Sequence, residues 1–408
     1  MRWIVTIAIL IALEVYAFQA FKTLFKFWWS LYIYVGITVV VVGLMIYAFY
    51  QPTPHGSLTG FRAYMVGFFL SIMALKLSVV VWMFGEDIVR LVVFGYNKIF
   101  TTSTENLPSR RKFVSTLALG LGAIPFLSLL YGMYKGKYNF KVLSYELEYD
   151  NLPPAFDGFT ITQLSDIHSG SFDNPEKIKY AIDLVNEQAS DAIVFTGDLV
   201  NNLADEMTPW IPTFSQLKAK EGVFSILGNH DYGDYYNFEN EEAKQQNFDN
   251  LLKVHSDLGW DLLRNERREI QRGEDTLHLI GVENWGKGGF KKTGDFDRAA
   301  EGVEAKDFKV LLSHDPSYWD EVVKTHDKDV QLTLSGHTHG MQFGIEIPGW
   351  FQWSPVQYRY DQWAGIYKKA KRYINVNRGF GYLAYPGRVG IWPEITVIKL
   401  KRSSISDA

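Results

Sequence analysis

Long stretches of almost uninterrupted apolar residues dominate the first third of the chain. Three of them are Trp3–Phe21, Leu31–Tyr50 and Phe113–Tyr131, each close to the ~20 residues that span the hydrocarbon core of a bilayer. A fourth stretch, Phe61–Gly85, carries Lys76 near its middle. A buried helical core in a water-soluble protein is the alternative, but runs of this length favour a membrane. The pattern therefore predicts an all-α region of about four transmembrane helices.

The pattern changes after Tyr138, where apolar runs of strand length alternate with polar segments. Five of these runs end in clusters of polar residues: Phe159–Leu164, Asp191–Phe195, Val223–Leu227, Phe308–Leu312 and Gln331–Leu334. Near-continuous apolar strands are typical of sheets that are covered on both faces. We therefore predict two domains, a transmembrane helical anchor at residues 1–134 and a soluble α/β domain at residues 135–408.

The charge of the chain supports this division. Of the 408 residues, the first 134 hold 10 Lys and Arg against 4 Asp and Glu, whereas the remainder hold 31 against 41, which together give the net charge of −4. Neither part has the strong positive charge of a nucleic-acid-binding protein, so we expect no nucleic-acid partner. The absence of cysteine excludes disulfides, thiolate metal sites and cysteine nucleophiles.

The positions of Lys and Arg predict the orientation of the helices. Lys22 and Lys26 follow the first apolar stretch, Lys98 and the run 110–112 precede the last, and the 51–60 segment has no Lys or Arg. Positive residues mark cytoplasmic loops, so both chain ends are expected outside the cytoplasm.

Two further features of the apolar region each leave two interpretations open. The segment Ser109–Val114, which contains Arg110 and Arg111, resembles a twin-arginine export signal, but it also fits an ordinary basic cytoplasmic flank. Glu14 and Lys76 fit either an intramembrane ion pair or two separate side chains that reach toward the bilayer surface.

The polar clusters after the five strands contain the side chains that bind divalent cations. In chain order these residues are Asp166, His168, Asp198, Asn229, His230, His314, His337 and His339. The carboxyl ends of such strands are where α/β sheets place their sites. Imidazole and carboxylate ligands without thiolates suit Mn²⁺, Fe²⁺ or Zn²⁺. Glycines precede Asp198, Asn229 and His337, and we expect them to allow sharp turns there.

The order of these motifs resembles the calcineurin-like metallophosphoesterase superfamily. Within it, Gly336–Gln342 and the tail motifs Val376–Gly381, Pro386–Arg388 and Pro393–Ile395 are similar to the bacterial membrane-associated phosphodiesterases of the YkuE and YaeI type. The resemblance covers roughly residues 140–400. It implies a four-layer α/β/β/α sandwich and a site for two divalent metal ions, with Mn²⁺ expected and Fe, Zn or Mg as alternatives.

The resemblance also implies a role for each matching residue. Asp166, His168, Asp198 and His339 would hold the first ion; Asp198, Asn229, His314 and His337 would hold the second. His230 would not be a ligand, but a donor to the phosphate or to the leaving oxygen. The chain departs from many relatives at Asn201, where they have Asp, which puts a supporting role there in doubt. Met341 replaces a Gly that is common in the narrower group.

The chain also offers residues for substrate binding. Arg378 and Arg388 are candidates for binding a phosphate, because a guanidinium matches two phosphate oxygens; surface salt bridges are the alternative. An aromatic-rich segment follows the last metal motif, and it fits either a lipid-facing rim or packing within the domain. Its members are Trp350, Phe351, Trp353, Tyr358, Tyr360, Trp363 and Tyr367.

We therefore predict a metal-dependent phosphohydrolase anchored in a lipid bilayer, in which metal-bound hydroxide attacks a phosphodiester or pyrophosphate. The anchor and the aromatic segment suggest a lipid or cell-envelope substrate. We expect a multi-pass protein of the bacterial cytoplasmic (inner) membrane with its catalytic domain on the periplasmic or extracytoplasmic side. The alternatives are a non-catalytic membrane scaffold and a helical channel or transporter with a regulatory phosphoesterase-like domain.

Overall fold

The computed structural model describes residues 2–51, 58–100, 108–347 and 349–403. The chain forms two compact units, and the chain passes from one to the other between Tyr134 and Lys135. The two units are described in turn.

The first unit consists of long apolar helices. They are α1 (Arg2–Leu24), α2 (Ser30–Tyr50), α3 (Gly60–Phe100) and α4 (Pro108–Tyr134). Each contains a segment long and apolar enough to cross a membrane, and many of their large apolar side chains point outward. The prediction of four membrane helices is confirmed. Helix α3 continues through residues 86–100, so it is longer than a bilayer requires.

The ion pair proposed between two charged residues of the apolar stretches is present. The ammonium group of Lys76 lies 2.6 and 2.7 Å from the two carboxylate oxygens of Glu14 and 3.2 Å from the hydroxyl of Thr38. The pair therefore joins α1 to α3, with α2 contributing a third polar group. Charges among apolar helices are tolerated when they are paired in this way.

A second polar cluster joins α3 to α4 and involves the arginine pair of the sequence. Arg111 forms ion pairs with Asp87 and, at 3.4 Å, with Glu86, and Arg90 lies 2.8 Å from Glu86. The side chain of Arg110 lies outside the described residues. Arg111 therefore has a structural role between helices, and the export signal stays a prediction.

The second unit contains two six-stranded sheets and a separate two-stranded hairpin. In spatial order, the first sheet is β1 (Lys141–Tyr149), β14 (Glu394–Arg402), β2 (Thr160–Leu164), β3 (Ala192–Phe195), β4 (Val223–Ser225) and β5 (Asp261–Leu262). The second is β12 (Gly365–Lys369), β13 (Arg372–Val376), β9 (Leu332–Ser335), β8 (Phe308–Leu312), β7 (Asp275–Gly281) and β6 (Glu266–Arg272). The hairpin is β10 (Ile345–Ile347) and β11 (Phe351–Trp353).

The five strands predicted from the sequence are β2, β3, β4, β8 and β9. Strands β2, β3 and β4 are parallel to one another, as are β7, β8 and β9. Their side chains are almost entirely buried on both faces, which explains why their sequences show no polar alternation.

The sheets pack face to face and are covered by helices on their outer faces. One apolar core lies between the sheets and includes Ile161 and Val194 of the first and Leu279 and Val310 of the second. The outer face of the first sheet is covered by α5 (Pro175–Glu187), α6 (Ile211–Phe214) and α7 (Glu241–Asp257). The outer face of the second is covered by α8 (Phe296–Ala299) and α9 (Ser317–Glu321). The predicted four-layer α/β/β/α sandwich is confirmed.

The membrane ion pair leads to a stability prediction. Lys76→Met leaves the Glu14 carboxylate without its cation among apolar helices, so we expect a loss of about 3 kcal/mol and a lower unfolding midpoint of the detergent-solubilised chain. The double variant Glu14→Gln/Lys76→Met regains most of the loss because no charge remains unpaired. Lys22→Met, at an exposed position, is the control and leaves the midpoint unchanged. A midpoint for Lys76→Met equal to that of the control would contradict the prediction.

Candidate metal centre

The polar residues that follow the five strands meet at one point in the second unit. Strands β2, β3 and β4 of the first sheet and β8 and β9 of the second each end two to four residues before one of them. Because parallel strands present their carboxyl ends at the same edge of a sheet, residues far apart in sequence are brought together. The cluster contains two donor sets that share one residue.

The first donor set consists of Asp166, His168, Asp198 and His339, and all four side chains are buried. Each offers one ligand atom, and these atoms lie within 4.8 Å of one another. The Nε2 atoms of His168 and His339 are 3.0 Å apart, and Nε2 of His339 is 3.1 Å from Oδ1 of Asp166. The nitrogen and oxygen lone pairs of the set therefore point toward a common centre.

The second donor set consists of Asp198, His314 and His337, and the amide oxygen of Asn229 faces the same space. This oxygen lies 3.1 Å from Nε2 of His314 and 2.8 Å from Nδ1 of His337. Nε2 of His314 lies 3.2 Å from Oδ2 of Asp198. Asp198 belongs to both sets, so its carboxylate is in the position to bridge two ions.

The electrostatics of the cluster fit bound divalent cations. Burial alone would raise the pKa of Asp166, but the imidazole of His339 holds it well below its usual range. Burial would also raise the pKa of Asp198, but the neighbouring His314 lowers the pKa of that carboxyl below its usual range. Both carboxylates are therefore ionised, as metal binding requires. Nδ1 of His168 is buried without a hydrogen-bond partner among the described residues, and the donor set of imidazole, carboxylate and amide oxygen suits Mn²⁺, Fe²⁺ or Zn²⁺.

Five of the seven proposed ligands adopt a left-handed backbone conformation. The φ angles are 52° at Asp166, 48° at His168, 62° at Asp198, 72° at His337 and 52° at His339. Such angles are uncommon for residues with a Cβ, and they persist where the surrounding structure imposes them, often at functional sites. The left-handed turn at each residue directs its side chain off the strand axis and into the cluster.

The glycines that precede the ligands have two different physical roles. Gly197 has a φ of 94° and provides the turn expected before Asp198. Gly228 and Gly336 do not have positive φ angles; there the expected reason is wrong. A Cβ at position 228 would overlap with the Asp198 carboxylate, and one at position 336 would overlap with Asp166. These two glycines are required for close approach of the backbone.

Asp231 holds the backbone that carries the bridging carboxylate, a role that the sequence analysis did not assign. It is fully buried and accepts hydrogen bonds from the backbone N–H groups of Asp198 at 2.9 Å, Leu199 at 2.8 Å and Gly228 at 2.8 Å. Burial and the nearby Asp198 raise the pKa of Asp231 to about 7. Its position in the Gly-Asn-His-Asp motif was the available signal, but its contacts were not visible from spacing.

His230 lies beside the cluster with one ring nitrogen fixed. Its Nδ1 donates to the backbone carbonyl oxygen of Asn201 at 2.8 Å, which leaves Nε2 as the free ring nitrogen. Its ring packs edge-on to His168, with the centroids 4.9 Å apart. The backbone N–H of Asn201 in turn donates to buried Glu206 at 2.6 Å. Asn201 therefore orients His230 through its main chain, while its side chain bonds to Ser171.

Three further residues orient the imidazoles of the second set. Nε2 of His337 lies 2.9 Å from the hydroxyl of Tyr360 and 3.4 Å from the carboxylate of Asp315, so Nδ1 is the nitrogen that faces the cluster. His314 donates from Nδ1 to the carbonyl of Thr196 at 2.7 Å. Partners of this kind fix which nitrogen is available to a metal. Tyr360 was expected only as a member of the aromatic segment.

The two arginines proposed to bind substrate are engaged elsewhere. Arg378 is 4% exposed, and its guanidinium lies 2.5 Å from both Glu394 and Glu346. Arg388 is completely buried, donates from Nε to the carbonyl of Gly381 at 2.8 Å, and packs behind His339. A substrate phosphate would have to displace buried ion pairs or domain packing to reach either group, so we correct this expectation.

An exposed cation at the rim of the site was not predicted. Arg359 is exposed, and its guanidinium lies 5.5 Å from the ring centre of Tyr360 and 5.6 Å from that of Phe290. Phe290 contacts the ring of His337 edge-on at 5.0 Å. Arg359 is therefore held next to the second donor set while remaining accessible to a solute.

Comparisons with known proteins identify the family of the chain. Residues 1–137 match the family described as "Probable Calcineurin-like phosphoesterase, transmembrane domain", and residues 159–341 match "Calcineurin-like phosphoesterase". The metallophosphoesterase YkuE of Bacillus subtilis is 30% identical over 302 residues, which cover 72% of this chain and 99% of that protein. A transmembrane protein with a metallophosphoesterase domain from Danio rerio is 28% identical, over 67% of this chain and 60% of that protein. The metallophosphoesterase YkoQ of Bacillus subtilis is 24% identical, over 69% of this chain and 98% of that protein.

The close approach at Gly228 predicts how the centre is disrupted. In Gly228→Ala the added Cβ overlaps with the Asp198 carboxylate, so we expect the purified chain to retain at most a small fraction of its bound metal. Gly289→Ala is the matched control, because a Cβ there meets no atom within 4 Å. Metal content measured by inductively coupled plasma mass spectrometry distinguishes the two. Equal metal content in both variants would show that the bridging carboxylate does not depend on this contact.

Proposed function

Because the chain belongs to the calcineurin-like phosphoesterase family and carries four apolar membrane helices, we propose that it is a membrane-anchored phosphoesterase that hydrolyses a phosphodiester or pyrophosphate bond with two divalent cations. The observation that carries the proposal is the pair of buried donor sets that share Asp198. A scaffold without turnover would not need eight chemically suited residues to converge on one centre.

The proposed ligand assignment follows the two donor sets. Asp166, His168, Asp198 and His339 would hold one cation, and Asp198, Asn229, His314 and His337 would hold the other. We propose Mn²⁺ as the resident ion, with Fe, Zn or Mg as alternatives. Two such cations would supply Lewis-acid polarisation of the phosphoryl oxygens and acidify a water molecule.

The protein side chains around the cluster have separate tasks in this proposal. His230, held through Nδ1 by the carbonyl of Asn201, keeps Nε2 free to carry a proton toward the leaving oxygen, as a general acid does. Asp231 and Gly228 keep the shared carboxylate in place. Arg359 at the rim attracts the substrate phosphate, the role first expected of Arg378 and Arg388.

We further propose that the substrate is a lipid or cell-envelope phosphoester and that the catalytic unit lies on the periplasmic or extracytoplasmic side of a bacterial cytoplasmic membrane. The anchor supports the first part, since it keeps the catalytic unit attached to a bilayer. The distribution of Lys and Arg between the apolar stretches supports the second, and the arginine pair at 110–111 is compatible with export of a folded domain.

The catalytic proposal predicts different outcomes for two substitutions in the detergent-solubilised full chain. With Mn²⁺ and bis-p-nitrophenyl phosphate, Asp198→Asn loses both metal and activity, because the shared ligand loses its charge. His230→Ala keeps its metal but loses turnover by a factor of about 10²–10⁴, the usual contribution of a general acid. His278→Ala, a histidine on β7 outside the cluster, retains both. Equal rates in all variants would sink the enzymatic assignment, and metal loss in His230→Ala would refute its separate role.

The orientation predicts the behaviour of reporter fusions. An alkaline phosphatase fused after Ala408 is expected to be active, because that enzyme requires an extracytoplasmic location. Fusions within the 51–60 segment should behave in the same way, since the positive-inside pattern places that segment outside. A phosphatase fusion at Ala408 that is expressed but inactive would overturn both the orientation and the export-signal interpretation.

A further inference from the structure

In the hairpin β10–β11 the apolar side chains face outward and a charged side chain faces the domain, the reverse of the usual arrangement in a water-soluble domain. Side chains alternate between the two faces of a strand, and here the apolar ones point outward. Ile345 pairs with Trp353 and Ile347 with Phe351 across the strands, and Ile345, Ile347 and Phe351 are exposed. The intervening Glu346 instead turns toward the domain and forms its ion pair with Arg378.

The exposed apolar residues continue beyond the hairpin on both sides. We call the following residues the apolar hairpin face: Met341, Phe343, Ile345, Ile347, Trp350, Phe351 and Tyr358. Trp350 is 81% exposed and Tyr358 is 79% exposed. Glu346 is the one charged residue in the sequence between positions 341 and 358. Contiguous apolar surface of this kind marks an interaction site.

The base of the hairpin and the start of the second unit both contact the segment Arg388–Val389. Gly136 comes two residues after the end of α4, and it packs so closely on the carbonyl of Arg388 that an added Cβ would overlap with it. The next residue, Val389, accepts a hydrogen bond from the N–H of Gly344 at 2.9 Å and donates to Gln342 at 2.8 Å. The apolar hairpin face is therefore built close to the point where the chain enters the catalytic unit from its last membrane helix.

We propose that the apolar hairpin face inserts into the interfacial layer of the bilayer that α1–α4 span. The composition fits lipid, because tryptophan and tyrosine favour the membrane–water interface, where their rings lie among headgroups and acyl chains. The ion pairs of Arg378 with Glu346 and Glu394 hold the hairpin to the domain from its inner side. Arg378 thus fastens a membrane-docking element.

Insertion of the hairpin into the bilayer would determine which substrates reach the metal centre. This inference rests on the proposed phosphoesterase function. The apolar hairpin face begins two residues after His339, and the segment that follows the hairpin leads to Tyr360, whose hydroxyl contacts His337. The hairpin is therefore connected at one end to His339 and at the other end, through Tyr360, to His337. Docking it on lipid holds the metal centre near headgroup depth and favours phosphoesters whose phosphate lies in a lipid headgroup.

The chain allows a direct test because it contains no native cysteine. A nitroxide label on Trp350→Cys is measured in the full chain reconstituted into vesicles of phosphatidylethanolamine and phosphatidylglycerol. Lys306→Cys is the control: this residue is exposed and lies two residues before the start of β8, at the end opposite His314. We expect the ratio of oxygen to nickel-complex accessibility to be several-fold higher at position 350 than at position 306. Phe351→Cys repeats the measurement if the first variant does not fold.

Two outcomes would overturn the proposal. A label at position 350 that is as accessible to the aqueous nickel complex as the label at position 306 would show that the hairpin stays in water. A label shielded from both reagents in nanodiscs that contain one chain each would show that protein covers the face. The measurement needs no turnover, so its failure is distinguishable from failure of the phosphoesterase proposal.

Discussion

The buried convergence of acidic and imidazole groups is the constraint on which the catalytic unit depends. Asp166 and Asp198 are ionised and removed from water, which is costly unless opposite charge is supplied. The protein keeps them there with two sheets whose strands end at the same place, with left-handed turns at five ligands, and with Asp231 beneath the shared carboxylate. Bound cations would supply the missing positive charge, so metal binding and integrity of this edge of the sandwich are linked.

Several charged groups in the described parts of both units are matched by opposite charges, although their surroundings differ. In the membrane unit, Lys76 is matched with Glu14, and Arg111 is matched with Asp87. In the catalytic unit, Arg378 is matched with two glutamates. Each pair joins segments that are distant in sequence. Removing one partner of such a pair would leave an isolated charge in an apolar environment, which is destabilising.

The parts of the fold that were predictable are those determined by local patterns. The membrane helices and strands such as Phe308–Leu312 appear as apolar runs of characteristic length, and His337 and His339 lie within five residues of the end of such a run. The burial of Arg378 in two ion pairs was not predictable, because its partners Glu346 and Glu394 are separated from it by 32 and 16 residues. Composition alone also did not show which aromatic residues are buried: Trp363 lies in the domain core, whereas Trp350 faces outward.

The junction between α4 and the catalytic unit contains no spacer. Tyr134 ends the helix, and Gly136 and Lys137 are already packed against the domain. A domain that follows membrane helices in this way cannot diffuse into the bulk phase, so it meets membrane-embedded molecules by lateral diffusion. The quantity that governs its encounter with such a molecule is surface density, and dilution of the surrounding solution leaves that quantity unchanged.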